Sequence, residues 1–285
     1  MVGAAVAYVA LYTCARALSG RCDWRVTALV RTAVNFAILF AWARARGIQL
    51  RLSTPRTLWI RSGAGADSLL LAFYALPRLP VADSLTLSNT APLWIAGLAS
   101  IFLGERAGLP VWAAIAVGFA GVVIMERPQL DAGALPVGAA LLGAFAASVA
   151  MLGLRRMRGV DPVAIVTHFA GFGTVAVLAV VLPEAGAIAR SVHADAATFL
   201  LLGGVGLSGT VAQLLLTRAY ALAPAARNAP VSFAEIGLGG VVDRVLVHRV
   251  FTAPTLFGMA LVLRPAAWLL ASARPARAPA AGADA

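Results

Sequence analysis

The apolar positions of this sequence fall into ten long stretches, each close to the length of a helix that crosses a bilayer. A helix needs about 20 mostly apolar residues to cross ~30 Å of hydrocarbon. Runs such as 111–125 show no alternation of apolar and polar positions, so the pattern predicts helices rather than strands. We predict spans at residues 1–18, 27–44, 60–77, 81–103, 108–125, 134–154, 163–182, 197–217, 229–247 and 254–272.

Charged residues inside the third and ninth spans weaken these two predictions. The third span contains Asp67, and the ninth contains Glu235, Asp243 and Arg244. Both spans are therefore assigned partly from the symmetry of the whole pattern. The fold class that results is an all-α integral membrane protein with ten transmembrane helices.

Composition supports this class, because the chain carries too little charge for a surface exposed to water. Hydrophobic residues make up 61% and charged residues 12% of the 285 positions, whereas soluble domains are about 45–50% apolar. The net charge of +11 comes from Arg in short gaps between apolar runs, which is a topology signal and argues against nucleic-acid binding. No Cys or His spacing suits a metal site, so we expect neither a metal nor a cofactor.

The distribution of Arg predicts the orientation in the membrane. With the N-terminus inside, the cytoplasmic loops and the tail carry more Arg than the outer loops, although Arg16, Arg21 and Arg25 fall outside. This excess favours an N-in, C-in protein. The first apolar run has no cationic segment before it, which favours a spanning helix over a removable signal peptide. Abundant Ala, Gly and Pro without Lys suggest a bacterial sequence, and hence the plasma (inner) membrane.

Two short segments indicate an internal repeat. Residues 73–76 (Phe-Tyr-Ala-Leu) correspond to 219–222 (Ala-Tyr-Ala-Leu) at an offset of 146, which becomes 144 where Pro80 meets Pro224. Five helices per half would make the second half enter the membrane from the opposite side, as in the inverted repeats of many transporters. A chance match of short Ala- and Leu-rich strings is the alternative. We predict two inverted five-helix repeats, at 1–128 and 129–272, and a flexible Ala/Pro/Arg tail at 273–285.

One region of the first half carries a family resemblance, through four motifs. These are Phe73-Tyr74-Ala75-Leu76, Leu79-Pro80-Val81-Ala82-Asp83, Ala91-Pro92-Leu93-Trp94 and Leu103-Gly104-Glu105-Arg106. Together they resemble the drug/metabolite transporter superfamily, and more narrowly the EamA-type ten-helix permeases, with a likeness to solute-carrier-35-like members. The resemblance is dense over 61–108 and loose elsewhere. It implies a permease, and Arg31 matches an Arg that the family often places early in the second span.

The second half departs from the family pattern. The offset of 144 aligns Glu105 with Arg249, so the Leu-Gly-Glu ending is missing there. The chain also begins without the short cytoplasmic leader common in such proteins, which leaves open whether its first residue is the true start.

The strongest site candidates are polar residues on the ninth span, since charged groups inside a bilayer are kept where they face a cavity or a partner. Asn228, Ser232 and Glu235 lie at i, i+4 and i+7, on one helical face. The repeat offset of 144 aligns Asn228 with Ser84 and Ser232 with Ser88, both on the fourth span. We interpret the two stripes as opposite walls of a solute cavity. A polar seam that only joins helices is the alternative.

Further candidates lie on the third and eighth spans. An offset of 146 aligns Asp67 with Gln213, and Tyr74 follows Asp67 by one heptad. A neutral Asp67 could bind and release a proton during transport, whereas an Asp67 paired with an Arg would be structural.

On the second span, Arg31 and Asn35 are four residues apart and share a face. A buried Arg there could hold a carboxylate substrate through two parallel hydrogen bonds. Neutralisation of Arg31 by Asp67 or Glu235 is the alternative.

Gating or structural roles are assigned to four residues. Glu105 and Arg106 end the fourth span and would fix that end through a salt bridge or a loop hydrogen bond. Pro92 and Pro230 lie inside spans, where they would break helices near the cavity and expose carbonyl groups.

Two other ionisable residues are given ordinary roles. Asp243 is expected in a surface pair with Arg249 or with lipid headgroups. His168 is expected to be a packing residue of the seventh span.

A transporter fits these features better than an enzyme or a channel. The sequence lacks nucleophile and metal motifs, and it offers no ring of like charge for a filter. We expect a secondary transporter of a small polar metabolite or amino-acid-like solute, working as an exporter by alternating access with proton coupling or exchange. Its partners would be the bilayer and the substrate, and it would be a monomer or a homodimer. A translocase of a lipid or lipid-linked sugar is the alternative.

Overall fold

The structure is a computed structural model that describes residues 2–50, 56–102, 109–126, 134–155, 157, 160–222, 235, 238–245, 248 and 250–272. Over these residues, every regular element is helical. Several candidates from the sequence lie outside the described residues, namely Glu105, Arg106, Asn228, Pro230 and Ser232.

The helices follow one another along the chain with short connections. They are α1 (Val2–Ala17), α2 (Trp24–Ala45), α3 (Arg56–Ala75), α4 (Val81–Ser88), α5 (Ala91–Phe102), α6 (Leu109–Glu126), α7 (Ala134–Arg155), α8 (Pro162–Val181), α9 (Ala185–Arg190), α10 (Ala196–Leu222), α11 (238–245) and α12 (Ala253–Ser272). A 3-10 turn, Leu182–Glu184, joins α8 to α9. By length and composition alone, α2, α7, α8 and α10 could each cross a membrane.

Helices are present at nine of the ten predicted positions, with ends that differ by a few residues. The ninth span is described only at 235 and 238–245, where the chain is helical. The third helix begins at Arg56, earlier than predicted. Arg61, the second residue of the predicted span, therefore lies further inside α3, in its second turn, and is 6% exposed.

Aspartates lie at the starts of three helices, and at the start of α10 Asp195 accepts a hydrogen bond from the Thr198 backbone N–H at 2.8 Å. Asp23 accepts a hydrogen bond from the Arg25 backbone N–H at the start of α2, at 2.8 Å. Asp161 does the same for Val163 at the start of α8, at 2.7 Å, where Pro162 takes the first helical position. Such caps satisfy backbone donors that have no partner within the helix, and proline costs nothing at a position whose N–H is already free.

The fourth span is broken into α4 and α5 at residues 89–90. Pro92 is the second residue of α5, and a proline has no N–H to donate to the carbonyl four residues earlier. At the end of α4, side chains add hydrogen bonds to the last carbonyls of the helix. Asn89 donates its side-chain amide to the Leu85 carbonyl at 2.8 Å, and Thr90 donates its hydroxyl to the Leu87 carbonyl at 2.6 Å. The expectation of a helix break beside Pro92 is confirmed.

The helices pack in a small set of pairs. Helix α3 lies against α7 and α8, α10 lies against α1 and α2, α2 lies against α8, and α6 lies against α12. Helices α6 and α12 pack closely at Gly121, because glycine has no side chain there. An added Cβ would lie 2.7 Å from the Gly258 carbonyl oxygen. The buried core of α1, α2, α3, α8 and α10 includes Leu11, Leu69 and Val205. These packed helices surround the buried polar groups described next.

Candidate functional site

Buried polar side chains from α1, α2, α3, α4 and α10 lie inside the bundle, and they include the long side chain of Arg31 on α2. Its side chain is 5% exposed, and its guanidinium carbon lies 5.9 Å from the centroid of the Phe73 ring. Within the described residues, its Nε and Nη1 atoms have no hydrogen-bond partner, and it forms no ion pair. The alternative in which Asp67 or Glu235 neutralises Arg31 therefore has no support in the described contacts.

Asn35 lies one turn further along α2, near the middle of that helix. Its side chain is fully buried, and neither its amide nitrogen nor its amide oxygen has a partner among the described residues. Ser84 Oγ on α4 is also buried and has no hydrogen-bond partner among the described residues. Buried polar groups are nearly always hydrogen-bonded, so these three residues are candidates for contact with a ligand, with water or with residues outside the described part of the chain.

Two tyrosines of α1 join this region to other helices. The Tyr8 hydroxyl donates to Oε1 of Gln213 on α10 at 3.1 Å. The Tyr12 hydroxyl and Ser88 Oγ are 3.3 Å apart, and Ser88 also donates to the Ser84 carbonyl at 2.8 Å. These contacts bring Gln213, Ser84 and Ser88, all predicted from the sequence, to the same part of the interior.

Glu235 is a buried carboxylate within electrostatic reach of these groups. It is 9% exposed, and it interacts electrostatically with both Tyr8 and Tyr12. Tyr8 interacts in the same way with Arg31 and Arg61. The described surroundings of Tyr8 thus include two buried cations and one buried carboxylate.

Arg61 is a site residue that the sequence interpretation missed. It is buried on α3, its guanidinium carbon lies 4.6 Å from the centroid of the Phe169 ring, and its Nη1 has no partner within the described region. Beside it, Ser62 Oγ lies 2.8 Å from His168 Nδ1, so the expected packing role of His168 includes a hydrogen bond. The sequence does contain a signal for the burial of Arg61. Its spacing from Leu58 and Leu69, which are buried, places Arg61 on the same helical face as these two residues.

Two predicted candidates lie away from this region. Asp67 is exposed on the face of α3 that also carries Ile60, which is 58% exposed. Tyr74 lies near the end of α3, where its ring meets Trp24 edge-on at 5.7 Å and the Arg78 guanidinium at 4.0 Å. Helix rotation therefore removes Asp67 from the candidate site, and Tyr74 belongs to an aromatic cluster at the end of the bundle.

We refer to the end of the bundle where α2 begins as the Trp24 end. Arg21 pairs with Asp195 at 2.9 Å, and Arg25 pairs with Glu184 at 2.9 Å. Hydrogen bonding from Thr198 lowers the pKa of the Asp195 carboxyl, which keeps it ionised for this pairing. The two ion pairs connect the α1–α2 loop and the first turn of α2, respectively, with the segment between α8 and α10.

Asp243 adds a third connection at the same end. It is 1% exposed, and its two carboxylate oxygens accept hydrogen bonds from the backbone N–H groups of Val81 and Ala82 at 3.1 and 2.8 Å. The predicted surface position was wrong, because these N–H groups at the start of α4 are unsatisfied donors that attract a carboxylate. The predicted pair with Arg249 lies outside the described residues. Asp243 thereby fastens α11 to α4.

The chemistry of the interior suits binding rather than bond breaking. Among the described residues, no group of three His, Cys, Asp or Glu side chains could hold a metal ion. The region offers a planar cation, an amide and hydroxyls beside aromatic rings. This fold is that of a multi-pass membrane protein, and the buried polar groups in its interior form a candidate solute-binding region.

Comparison with known proteins finds a family match in the first half of the chain. Residues 1–127 match the EamA-like transporter family, which lies within the drug/metabolite transporter superfamily. The named relatives of the chain are transporters or exporters of small molecules rather than enzymes.

Named relatives match most of the chain. A riboflavin transporter of Vibrio cholerae serotype O1 is 26% identical over 249 residues, which cover 85% of this chain and 81% of the relative. A pseudopaline exporter of Pseudomonas aeruginosa is 24% identical over 192 residues, 67% of this chain and 66% of the relative. One solved crystal structure aligns with a TM-score of 0.62 at 22% identity, over 94% of this chain and 95% of the other, and this likeness concerns the fold alone.

Proposed function

We propose that the protein exports a small polar or amino-acid-like metabolite that carries a carboxylate or a comparable acceptor group, by alternating access. The observation that carries the proposal is the pair of buried, unpartnered side chains on α2, Arg31 and Asn35. A guanidinium can hold a carboxylate with two parallel hydrogen bonds, and an amide one turn away can orient the rest of the molecule.

The charges of the region favour a substrate with negative character. Around Tyr8, two buried arginines, Arg31 and Arg61, stand against one buried carboxylate, Glu235, and none of the ion pairs found among the described residues joins them. A buried charge without a partner is unfavourable, so an anionic group that enters gains more here than it would in water. The Phe73 and Phe169 rings beneath the two guanidinium groups favour a planar portion in the substrate.

The packing of the helices supports two inverted five-helix repeats as the moving parts. If α1, α2, α3 and α6 correspond to α7, α8, α10 and α12, the α3–α7 contact corresponds to α10–α1, and the α3–α8 contact corresponds to α10–α2. The α2–α8 and α6–α12 contacts would then lie on the symmetry axis. Rocking of one repeat against the other around a central site is the usual motion of such proteins.

Alternating access requires the Trp24 end to open and close. The connections of Arg21 with Asp195, Arg25 with Glu184 and Asp243 with α4 all lie at this end, so they would break when it opens. In the N-in, C-in orientation that Arg favours, this end faces outward from the bacterial plasma membrane.

Glu235 is our candidate for proton coupling, because a buried carboxyl beside the site can change charge between the two states. In proteoliposomes, Glu235→Gln should remove the response of net flux to a pH gradient and leave substrate exchange at zero gradient intact. A Glu235→Gln protein that still concentrates substrate in response to the gradient would exclude Glu235 as the coupling group.

A second candidate substrate follows from the relatives. The Vibrio cholerae relative is named for riboflavin, a planar ring compound with carbonyl acceptors, and it matches 85% of the chain. Such a ring could lie against the aromatic side chains while its acceptors meet Arg31 and Asn35. This substrate would be moved by the same site.

The experiment that tests the proposal is a flux screen in proteoliposomes with four labelled classes of compound. These are amino acids, other small carboxylates, riboflavin, and a fluorescent phospholipid. Flux of a carboxylate supports the proposal, and flux of riboflavin alone supports the second candidate. Lipid scrambling without solute flux would overturn both and favour the lipid translocase.

A further inference from the structure

Two exposed charges lie near the middle of long helices, away from the site. Asp67 and Arg264 are each the twelfth residue of a 20-residue helix, α3 and α12 respectively. Both side chains are exposed, and none of the ion pairs found among the described residues involves either of them. An exposed position in mid-helix faces hydrocarbon in a membrane protein, where a lone charge is costly.

The surface around Asp67 is otherwise apolar. Ile60 lies one heptad before Asp67 on the same face and is 58% exposed, and the neighbouring Trp59 is 48% exposed. This face therefore presents one carboxylate within a surface suited to lipid or to another helix.

The surface around Arg264 is a groove of about 480 Å³ between α6 and α12. Its walls are mainly apolar and include Ala114, Val117, Pro265 and Trp268. Small residues on the α6 wall allow a helix to approach closely. The groove thus has space for the side chains of a neighbouring helix, with one cation at its edge.

The two charges lie at similar depths in the membrane. Helices α6 and α12 are antiparallel, since the start of α6 and the end of α12 line the same groove. Helices α3 and α6 are parallel, because a single span (α4 and α5) separates them. The starts of α3 and α6 and the end of α12 therefore lie on the same side of the membrane. Measured from that side, Asp67 lies about 17 Å along α3 and Arg264 about 12 Å along α12, at 1.5 Å per residue. The side chain of Arg264 is long enough to span this difference in depth.

We propose that Asp67 of one copy of the chain pairs with Arg264 of a second copy, whose α6–α12 groove receives the exposed face of α3. Within one copy, α3 packs on α2, α7 and α8, whereas α12 packs mainly on α5 and α6. The two charges thus lie on different surfaces, and the contact between copies is head-to-tail. A contact of this kind within a membrane plane closes into a ring when its rotation permits.

The test uses the full chain, reconstituted into liposomes and labelled with donor or acceptor fluorophores, with energy transfer between copies as the readout. Wild-type copies should associate. Asp67→Arg alone and Arg264→Asp alone should each weaken association at least roughly tenfold, because each places like charges together at a desolvated contact. A mixture of the two variants should recover association, since both contacts between unlike copies again join opposite charges, whereas contacts between like copies do not.

The mixing step also controls for misfolding, because a variant that does not fold cannot recover association with its counterpart. Asp67→Asn and Arg264→Gln serve as milder variants with the same expected direction. The proposal is overturned if wild-type copies do not associate at any protein-to-lipid ratio, if neither charge reversal weakens association, or if the mixture fails to recover it. Loss of bound anionic lipid in Arg264→Asp, with association unchanged, would instead identify Arg264 as a headgroup ligand.

Discussion

The phenol of Tyr8 on α1 donates a hydrogen bond to the Gln213 side-chain oxygen on α10, 205 positions away in the chain. This bond connects the two halves of the bundle beside the buried Arg31 and Arg61. It therefore fixes the distance between α1 and α10 at the depth of the proposed substrate.

Removing this bond should destabilise the bundle measurably. Tyr8→Phe leaves the Gln213 oxygen buried without a donor, and we expect a loss of about 1–2 kcal/mol in the free energy of unfolding. This loss in the free energy of unfolding can be measured by denaturant titration of the purified protein in bicelles. The Tyr8→Phe/Gln213→Leu double variant should lose less than the sum of the two single variants, and strict additivity would contradict the coupling.

Gly209 keeps the space that Arg31 occupies. An added Cβ there would lie 2.9 Å from Leu11 Cδ1 and 3.1 Å from Arg31 Cγ. Gly209→Ala should therefore displace the guanidinium and raise the substrate KM by roughly tenfold, the equivalent of about 1.4 kcal/mol. Gly203→Ala on the same helix is the matched control, because its added Cβ meets nothing within 4 Å. Equal KM values for the two variants would show that Gly209 does not position Arg31.

The cap that Asp243 provides should contribute to stability. Asp243→Ala strands two backbone donors at the start of α4, and we expect a loss of about 0.5–2 kcal/mol. Asp243→Asn keeps one acceptor and should lose less. Thermal unfolding followed by the fluorescence of a thiol-reactive dye would order the proteins as wild type, Asn and Ala. An Ala variant as stable as the wild type would contradict the cap.

The ion pair of Arg21 and Asp195 should bias the Trp24 end toward its closed form. The pair is partly exposed, so its contribution is small, about 0–1 kcal/mol, and added salt should reduce it. Arg21→Gln should speed the labelling of a cysteine placed at Ser84 in a Cys14→Ser/Cys22→Ser background. The charge swap Arg21→Asp/Asp195→Arg should restore the slower rate. Labelling at one rate in all three proteins would remove the pair from gating.

Sequence was sufficient for those parts of the fold that depend on local pattern. The apolar length of each span predicted the helices, and Pro92 predicted the break between α4 and α5, because helix length and proline chemistry act within a few residues. Arg31 and Asn35 were placed together correctly, since four residues on one helix share a face.

The remaining features depend on how each helix rotates against its neighbours. The offset of 146 paired Asp67 with Gln213, yet the first is exposed and the second is 8% exposed. Nothing local to Asp243 indicates that it meets the start of α4, more than 160 positions away. Arg61 stood at the edge of the predicted span 60–77 and drew no attention, because α3 begins four residues earlier than its apolar pattern and places Arg61 in the second turn.

The central claim is that Arg31 recognises an acidic group of the substrate. The most direct measurement compares binding of a transported carboxylate with binding of its neutral amide, by competition against a labelled substrate. Wild-type protein should prefer the carboxylate by roughly tenfold or more, and Arg31→Lys should keep part of this preference because it retains the charge. Arg190→Gln, which removes an exposed arginine, serves as the control and should behave like wild type. Loss of the preference in folded Arg31→Gln is the predicted result, and an unchanged preference in that variant would contradict the account.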